Sequence, residues 1–244
     1  MIREPRSAAP HLDDCCLIIP ALDPTGVLVD LAARLKAIGF HHIVVIDNGS
    51  APDCAASFEA VAALGAHLIV HARNLGKGCA LKSGFRYCLE KKFGAVVTVD
   101  ADGQHLPDDV LAVANAALSR ASLPAQPAAV LGARRFAANM PLRSRVGNTL
   151  TQWLFQKLSG VRFDDTQTGL RAFPAALLPR LLQLQGDRYE YEMSVLIDLA
   201  ASRYPVVEVP IASVYLDGNS SSHFRPLHDS IRVYSVLLRA WRSR

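Results

Sequence analysis

The chain has 244 residues, of which 50% are hydrophobic and 20% are charged. This composition is typical of a globular protein and excludes an intrinsically disordered one. The first apolar run, residues 15–19, is too short for the core of a signal peptide, and no run reaches the roughly 18 apolar residues that a membrane-spanning helix needs. We therefore expect a cytoplasmic protein whose membrane contact, if it has one, is peripheral and on the inner face of the cell membrane.

The net charge of +4 is unevenly distributed along the chain. Residues 1–119 carry 10 basic and 13 acidic side chains, whereas residues 120–244 carry 16 basic and nine acidic ones. Fifteen of those 16 basic residues are Arg, which binds phosphate groups through paired hydrogen bonds. The second half is therefore expected to bind an anionic partner. Nucleic acid is not expected, because the whole-chain excess is small and no DNA- or RNA-binding motif is present.

In the first half, apolar segments alternate between strand and helix patterns. The alternation predicts strands at 15–19, 43–46, 67–70, 95–99 and 129–131, the first stopped by Pro20, with helices between them. This order is typical of an α/β fold with a doubly wound, mostly parallel sheet flanked by helices, here over residues 15–135. In the second half, the pattern predicts helices at 144–158, 175–184 and 190–202, a strand at 206–209 and a last helix from about 227.

Two carboxylates, Asp100 and Asp102, directly follow the predicted strand at 95–99. Side chains at alternate positions of an extended backbone point the same way, so both could bind one divalent cation. Oxygen ligands with room left for water favour Mg²⁺ or Mn²⁺, which usually come to proteins together with phosphates. The alternative is that both residues only end the strand and cap the helix that Pro107 begins.

Polar residues and glycines also follow the other strands predicted in this half. Parallel strands place their carboxyl ends at one edge of the sheet, where ligands bind in open α/β folds. Asp47 could accept a hydrogen bond from a nucleotide base, and Gly76 and Gly78 would let the backbone approach a ligand closely. Each residue alone is typical of a turn, but together they indicate a nucleotide pocket beside a metal.

Four segments of the chain carry a resemblance to a known family. They are IVVIDNGSAPD at 43–53, NLGKGCALKSGF at 74–85, DADGQH at 100–105 and DTQTGLRAF at 165–173, and two shorter segments, YEYEM at 189–193 and SHFRP at 222–226, are also similar to the family. In this order they resemble the family 2 glycosyltransferases of the GT-A fold, nearest the dolichyl- and polyprenyl-phosphate sugar transferases. The resemblance spans roughly residues 16–235. It implies an N-terminal tail at 1–14, a GT-A domain at 15–226 with a nucleotide-sugar half (15–135) and an acceptor half (136–226), and a C-terminal amphipathic helix at 227–244.

The resemblance implies inverting sugar transfer from a nucleotide-diphosphate sugar, a UDP- or GDP-sugar, with Mg²⁺ or Mn²⁺ as the cofactor. Asp102 would be the main metal ligand at the departing diphosphate, assisted by Asp100 and Gln104, while His105 would lie behind this shell. The first strand ends in Pro-Ala-Leu-Asp-Pro here and not in the Pro-Ala-Tyr-Asn-Glu that is usual in the family, so the base is left open. The residues implied in nucleotide binding are Pro20, Ala21, Asp23, Asp47, Gly49, Lys77, Asp100 and Ala101.

The acceptor implied by the resemblance is a polyprenyl phosphate or another lipid. Its phosphate would be bound by Arg134, Arg143 and Arg145 around a loop at 136–142. His223 and Arg225 would close on the donor phosphates. Asp165 has two interpretations, because it would be the general base for a hydroxyl acceptor but would only position groups if the acceptor is already anionic. The alternatives are therefore transfer to a lipid, glycan or small-molecule hydroxyl, a nucleotidyltransferase, or a non-catalytic nucleotide-sugar-binding module.

The last predicted helix has apolar residues at spacings of four and three. These are Leu227, Ile231, Tyr234, Leu238 and Trp241. Together with the Arg residues of the same helix, the stripe predicts docking on a membrane surface. The alternative is an ordinary C-terminal helix that covers the core.

Overall fold

A computed structural model describes residues 12–121, 127–134, 142–212 and 226–242. The strands in these residues are β1 (Cys15–Ala21), β2 (Ile43–Asp47), β3 (His67–Val70), β4 (Ala95–Thr98), β5 (Ala129–Arg134), β6 (Arg171–Pro174) and β7 (Val206–Ile211). The helices are α1 (Val27–Ala37), α2 (Ala55–Ala63), α3 (Lys77–Glu90), α4 (Pro107–Ala121), α5 (Leu142–Ser159), α6 (Leu178–Leu181), α7 (Glu190–Ala201) and α8 (Pro226–Arg242).

The strands form one sheet in the order β3-β2-β1-β4-β6-β5-β7, in which only β6 is antiparallel to its neighbours. Apolar side chains alternate between its two faces. Along β1, Leu17 and Ile19 pack with α1, α2 and α4, while Cys16 and Ile18 pack with α3, α6 and α7. The predicted doubly wound, mostly parallel α/β architecture is confirmed.

Strand β1 runs through Pro20 to Ala21, so the prediction that Pro20 stops the strand is wrong. Pairing of β1 with β4 ends at Ile18, whereas pairing with β2 continues to Ala21. The carbonyl of Ile18 points towards β4 and accepts the N–H of Val99. Pro20 is two residues further on, so its nitrogen also points towards β4, at a position where β1 and β4 no longer pair. A proline in a strand is tolerated where no partner needs its missing N–H.

Strand β6 was not predicted from the sequence. It is short, begins with a charged residue and ends with Pro174, and so lacks the usual strand signals. Its neighbours on both sides bury it completely, and the guanidinium of Arg171 is satisfied by the carbonyls of Thr166, Thr168 and Glu192. The predicted helix at 175–184 is also different, since residues 175–177 form a 3₁₀ turn before the short helix α6.

A third apolar cluster joins α5, α7 and α8 and includes Phe155, Leu196 and Leu237. The predicted stripe on α8 is divided between two faces. Tyr234 hydrogen-bonds Thr151 of α5 (3.2 Å), whereas Ile231 and Leu238 are 68% and 51% exposed. The side chains of residues 227 and 241 lie outside the described part of the chain. In the described residues, no helix combines the length and apolar character that crossing a membrane requires.

Candidate active site

The carboxyl ends of β1, β2 and β4 meet at one edge of the sheet. The parallel register sets Ala21 beside Asp47 and Ile18 beside Thr98. The ends of these strands and the residues that follow them therefore share one edge of the sheet. This group includes Pro20, Ala21, Asp23, Asp47, Gly49, Asp100 and Ala101. Strand order alone had predicted this place for Pro20, Asp23, Asp47 and Asp100.

Asp23 and Asp47 organise the loop that follows β2. Asp47 Oδ1 accepts the N–H of Ser50 (2.8 Å), and Asp23 Oδ1 accepts the N–H of Ala51 (2.8 Å). The N–H of Asp23 in turn donates to Ser50 Oγ (2.9 Å), and the backbone of Asp23 is left-handed, with φ 44°. Both carboxylates thus fix the conformation of the loop beside the carboxyl ends of β1 and β2.

A polar network between the loops after β2 and β3 was missed by the sequence reasoning. The ring nitrogens of His71 lie 3.0 Å from Asn48 Oδ1 and 3.0 Å from Ser83 Oγ, and Asn48 Nδ2 donates to Asn74 Oδ1 (3.3 Å). Burial lowers the pKa of His71, although the charge of Asp47 opposes the shift. The network ties the loop after β3 to the end of β2 and to α3.

The glycines of the 74–78 loop serve protein packing. A Cβ at Gly76 would overlap the carbonyl of Asp187, and a Cβ at Gly78 would come within 2.6 Å of the Tyr191 Cβ. The interpretation that these glycines admit a ligand is therefore corrected, since the start of α7 fills that space. Gly49 has a similar role, because a Cβ there would overlap the backbone of residues 73–74.

Lys77, in the first turn of α3, bridges two carboxylates from distant parts of the chain. Its Nζ lies 2.7 Å from Asp100 Oδ1 and 2.9 Å from Glu192 Oε2 on α7. Burial alone would lower the pKa of Lys77, but the charges of the two carboxylates raise it above its ordinary value. Glu192 was not predicted as a site residue. Its segment, residues 189–193, carried a resemblance to the family, but the pairing with Lys77 could not be predicted because the two residues are distant along the chain.

Asp100 and Asp102 are adjacent but differently engaged. Burial alone would raise the pKa of Asp100, but Lys77 and His105, whose Nε2 lies 3.6 Å from Oδ2, hold it below its ordinary value. Asp102 Oδ1 accepts the backbone N–H of Gln104 (3.0 Å). Burial, followed by the negative charge of Asp100, raises the pKa of Asp102. The N–H of Gln104 and the charges of His105 and Lys77 offset this effect on Asp102 only in part.

Arg134 and Asp165 form an ion pair in which Asp165 is buried and Arg134 is partly exposed. Arg134 Nε and Nη2 donate to the two oxygens of Asp165 (2.6 and 3.1 Å), and Asp165 is only 2% exposed. The same carboxylate also accepts backbone N–H groups from residues 134, 167 and 168. Five donors therefore occupy the Asp165 carboxylate.

The side chains of four further predicted residues lie outside the described part of the structure. Arg143 and Arg145 lie in the first turns of α5, but only the backbone is described there. His223 and Arg225 lie outside the described residues. Gln104 enters the site through its backbone N–H.

Known proteins resemble this chain over most of its length. Residues 16–180 match the profile of "Glycosyl transferase family 2". The UDP-N-acetylglucosamine--dolichyl-phosphate N-acetylglucosaminyltransferase of Methanococcus voltae is 28% identical over 82% of this chain and 86% of its own length. The undecaprenyl-phosphate mannosyltransferase of Micrococcus luteus is 26% identical over 81% and 82%.

Among solved structures, the fold is similar to glucosyl-3-phosphoglycerate synthase from Mycobacterium tuberculosis in complex with Mn²⁺, UDP-glucose and phosphoglyceric acid. The TM-score is 0.71 at 20% identity, over 98% of this chain and 86% of that one. At this identity the likeness establishes the fold, which is the GT-A fold predicted from the sequence. The family match covers well over half of the chain, and the chain therefore belongs to glycosyl transferase family 2.

Proposed function

We propose that this glycosyltransferase moves a sugar from a nucleotide-diphosphate sugar to a polyprenyl phosphate, with inversion at the anomeric carbon and with the aid of Mg²⁺ or Mn²⁺. The relatives named for dolichyl-phosphate and undecaprenyl-phosphate transfer support this acceptor class. The donor is a UDP- or GDP-sugar. The acceptor lies in a membrane, so the enzyme acts peripherally on its cytoplasmic face.

The donor nucleotide would bind along the carboxyl ends of β1 and β2, beside the loop that Asp23 and Asp47 fix. The residues at this edge that would contact the base and ribose are Pro20, Ala21, Asp47 and Gly49. Asp100 and Ala101 follow the carboxyl end of β4, and Lys77 contacts Asp100 there. The diphosphate would then lie over Asp102, which is one residue beyond Asp100.

The residues present fit a divalent cation. In the described residues, no three His, Cys, Asp or Glu side chains form a ready-made metal cage. Mg²⁺, however, is commonly bound through one or two carboxylates, with substrate phosphates and water completing its shell. The raised pKa of Asp102, caused by burial and by Asp100, is the electrostatic cost that a cation at this place would relieve. Asp102 would hold the cation, assisted by Asp100 and Gln104. When bound, the cation would neutralise negative charge on the departing diphosphate.

One observation favours a phosphate over a hydroxyl as the acceptor. Asp165, the best candidate for a general base, is buried and engaged by Arg134 and three backbone N–H groups. These five hydrogen bonds exceed the roughly four lone-pair sites of a carboxylate, so Asp165 has no lone pair left for the proton of an acceptor hydroxyl. A phosphate acceptor needs no base, since its attacking oxygen is already anionic. Asp165 would instead hold Arg134 in place.

The reaction then has few steps for protein groups to perform. An acceptor phosphate oxygen forms a bond to the anomeric carbon as the bond from that carbon to the nucleotide diphosphate breaks, and the electron pair leaves with the diphosphate. Arg134 would orient the acceptor phosphate and reduce its repulsion from the donor. Arg143 and Arg145 would add to this anion site, and His223 and Arg225 would contact the donor phosphates.

The proposal is tested by incubating the purified protein with a panel of labelled UDP- and GDP-sugars and a membrane lipid extract. The expected product is one lipid-linked sugar phosphate that is labile to mild acid and identified by mass spectrometry. Its formation should require Mg²⁺ or Mn²⁺ and stop when EDTA is added. Binding of a nucleotide sugar without any transfer or hydrolysis would instead favour a non-catalytic binding module.

A further inference from the structure

A cavity of about 310 Å³ lies where the carboxyl end of α7 meets the loop after α5 and the start of β7. Its lining comes from residues within 161–163, 199–204 and 206–208. We call it the α7 cavity. Its volume is at the lower end of the range that is usual for small-molecule sites. A space of this size suits a small organic molecule.

The α7 cavity and the proposed transfer site lie at opposite ends of β7. Arg134 pairs with Ile211, at the end of β7, whereas the cavity residue Val206 begins the strand. Five residues of extended strand separate Val206 from Ile211, a distance of about 16 Å. A molecule bound in the α7 cavity would therefore not occupy the place proposed for the acceptor phosphate.

The floor of the α7 cavity is apolar. Phe163, Leu199 and Ala200 are buried, and Val206 packs against the same two apolar clusters as they do. These side chains belong to the core, so the floor is already formed and needs no rearrangement to accept a ligand. We therefore expect a ligand to present an apolar group to this floor.

The polar residues of the lining are cationic in balance, with two Arg and one acid. Glu208 Oε1 is engaged by the N–H of Asp164 (2.7 Å), and Arg162 lies 3.8 Å from the exposed carboxylate of Asp164. Within the part of the chain that the structure describes, no carboxylate pairs with Arg203 and no group hydrogen-bonds the hydroxyl of Tyr204. A guanidinium and a hydroxyl donor are thus available at the cavity.

We infer that the α7 cavity binds a small organic anion in which one phosphate or carboxylate is joined to a compact apolar group. The anionic group would pair with Arg203 and accept a hydrogen bond from Tyr204, while the apolar group would contact Phe163 and Leu199. Burial raises the pKa of Tyr204, so its hydroxyl stays protonated and able to donate. The inference does not depend on which acceptor the enzyme uses.

Binding is measured by fluorine NMR titration of the protein with fluorophenyl phosphate and with fluorophenylacetate. The two probes carry the two kinds of anionic group on the same apolar ring, and fluorobenzyl alcohol is the uncharged comparison. We expect at least one of the two anions to bind about 10-fold or more tightly than the alcohol, because only the anions pair with Arg203. Failure of both anions to bind would overturn the inference.

Two variants locate the bound anion. Arg203 has a left-handed backbone, with φ 52°, two residues after the end of α7, so Arg203→Gly removes the cation without straining the backbone. Tyr204→Phe removes only the hydroxyl. The matched control is Lys92→Gly, because Lys92 is a cation with φ 62° two residues after the end of α3. Lys92 precedes β4, which β6 and β5 separate from β7 in the sheet.

We expect anion binding to weaken about 10-fold or more in Arg203→Gly and by a smaller factor in Tyr204→Phe, since a bond to a charged group is the stronger one. Lys92→Gly should bind like the parent, and the melting temperature of Arg203→Gly should not fall below that of the parent. Undiminished binding in Arg203→Gly would place the anion elsewhere and overturn the inference. Equally tight binding of inorganic phosphate would also overturn it, because the apolar floor would then contribute nothing.

Discussion

The backbone of Gly169 packs directly on the carboxylate of Asp100, so closely that a Cβ at Gly169 would overlap both carboxylate oxygens. The same segment is held to β4 by the hydroxyl of Thr98, which donates to the carbonyl of Gly169 (2.7 Å). The conformation of Asp100 therefore depends on a glycine that is distant in sequence.

We predict that Gly169→Ala displaces Asp100 and disrupts its pair with Lys77. Donor binding and turnover should both fall, while the far-ultraviolet circular dichroism spectrum is retained, because Asp100 is a side chain that can rotate away. Calorimetry with the nucleoside diphosphate measures the first effect. Gly26→Ala is the matched control, since a Cβ at Gly26 meets nothing within 4 Å. Equal donor affinity in the two variants would show that the packing of Asp100 on Gly169 is unimportant.

The second prediction concerns the cation. Asp102→Asn should lower turnover by about 10²-fold or more, the scale expected when charge stabilisation at a departing group is lost. It should also abolish the response to added Mn²⁺ while leaving the melting temperature within a few degrees of the parent. Asp108→Asn, an exposed acid in the first turn of α4, is the control and should remain active. A fully active Asp102→Asn variant, or full activity in EDTA, would show that transfer does not require a cation at Asp102.

The third prediction concerns the bridge from Lys77 to Glu192. The single variants Lys77→Met and Glu192→Gln should each destabilise the fold, because Lys77→Met leaves Glu192 and Asp100 without their shared cation, and Glu192→Gln leaves Lys77 with Asp100 alone. The double variant should lose less than the sum of the two, with a coupling energy of about 0.5–3 kcal/mol. Urea unfolding of the four proteins measures this coupling. Strict additivity would mean that the contact contributes nothing to stability.

The fourth prediction concerns pH. Burial lowers the pKa of His71, so the unfolded chain binds a proton at higher pH than the folded chain does. The free energy of unfolding is therefore greatest above the ordinary pKa of His, about 6.5, and falls as the pH is lowered through the folded-state value. Urea unfolding at about pH 8 and about pH 5 should show a larger loss for the parent than for His71→Gln. An identical loss in both proteins would contradict the assignment.

The sequence was sufficient to predict which strand ends meet at one edge of the sheet. Strand order follows from the alternation of apolar segments, and parallel strands bring their carboxyl ends together. Asp47 and Asp100 could therefore be placed at one edge. The resemblance of four short segments then predicted the family, which the comparison confirmed.

Other parts of the site could not be predicted because they depend on contacts between distant segments. Glu192 reaches Lys77 only after α7 packs on α3. Gly76 and Gly78 were interpreted as ligand contacts, but α7 occupies the space beside them. Strand β6 escaped detection because its burial comes from its neighbours and not from its own composition.

The central claim is that the acceptor is a phosphate and that Asp165 is a positioning residue. The most direct measurement compares turnover with polyprenyl phosphate and with the corresponding polyprenol, for the parent protein and for Asp165→Asn. We predict transfer to the phosphate alone. We also predict that Asp165→Asn retains the parent pH profile but raises the KM for the phosphate, because Arg134 loses its support. Transfer to the polyprenol that Asp165→Asn abolishes would contradict the account and would make Asp165 the general base for a hydroxyl acceptor.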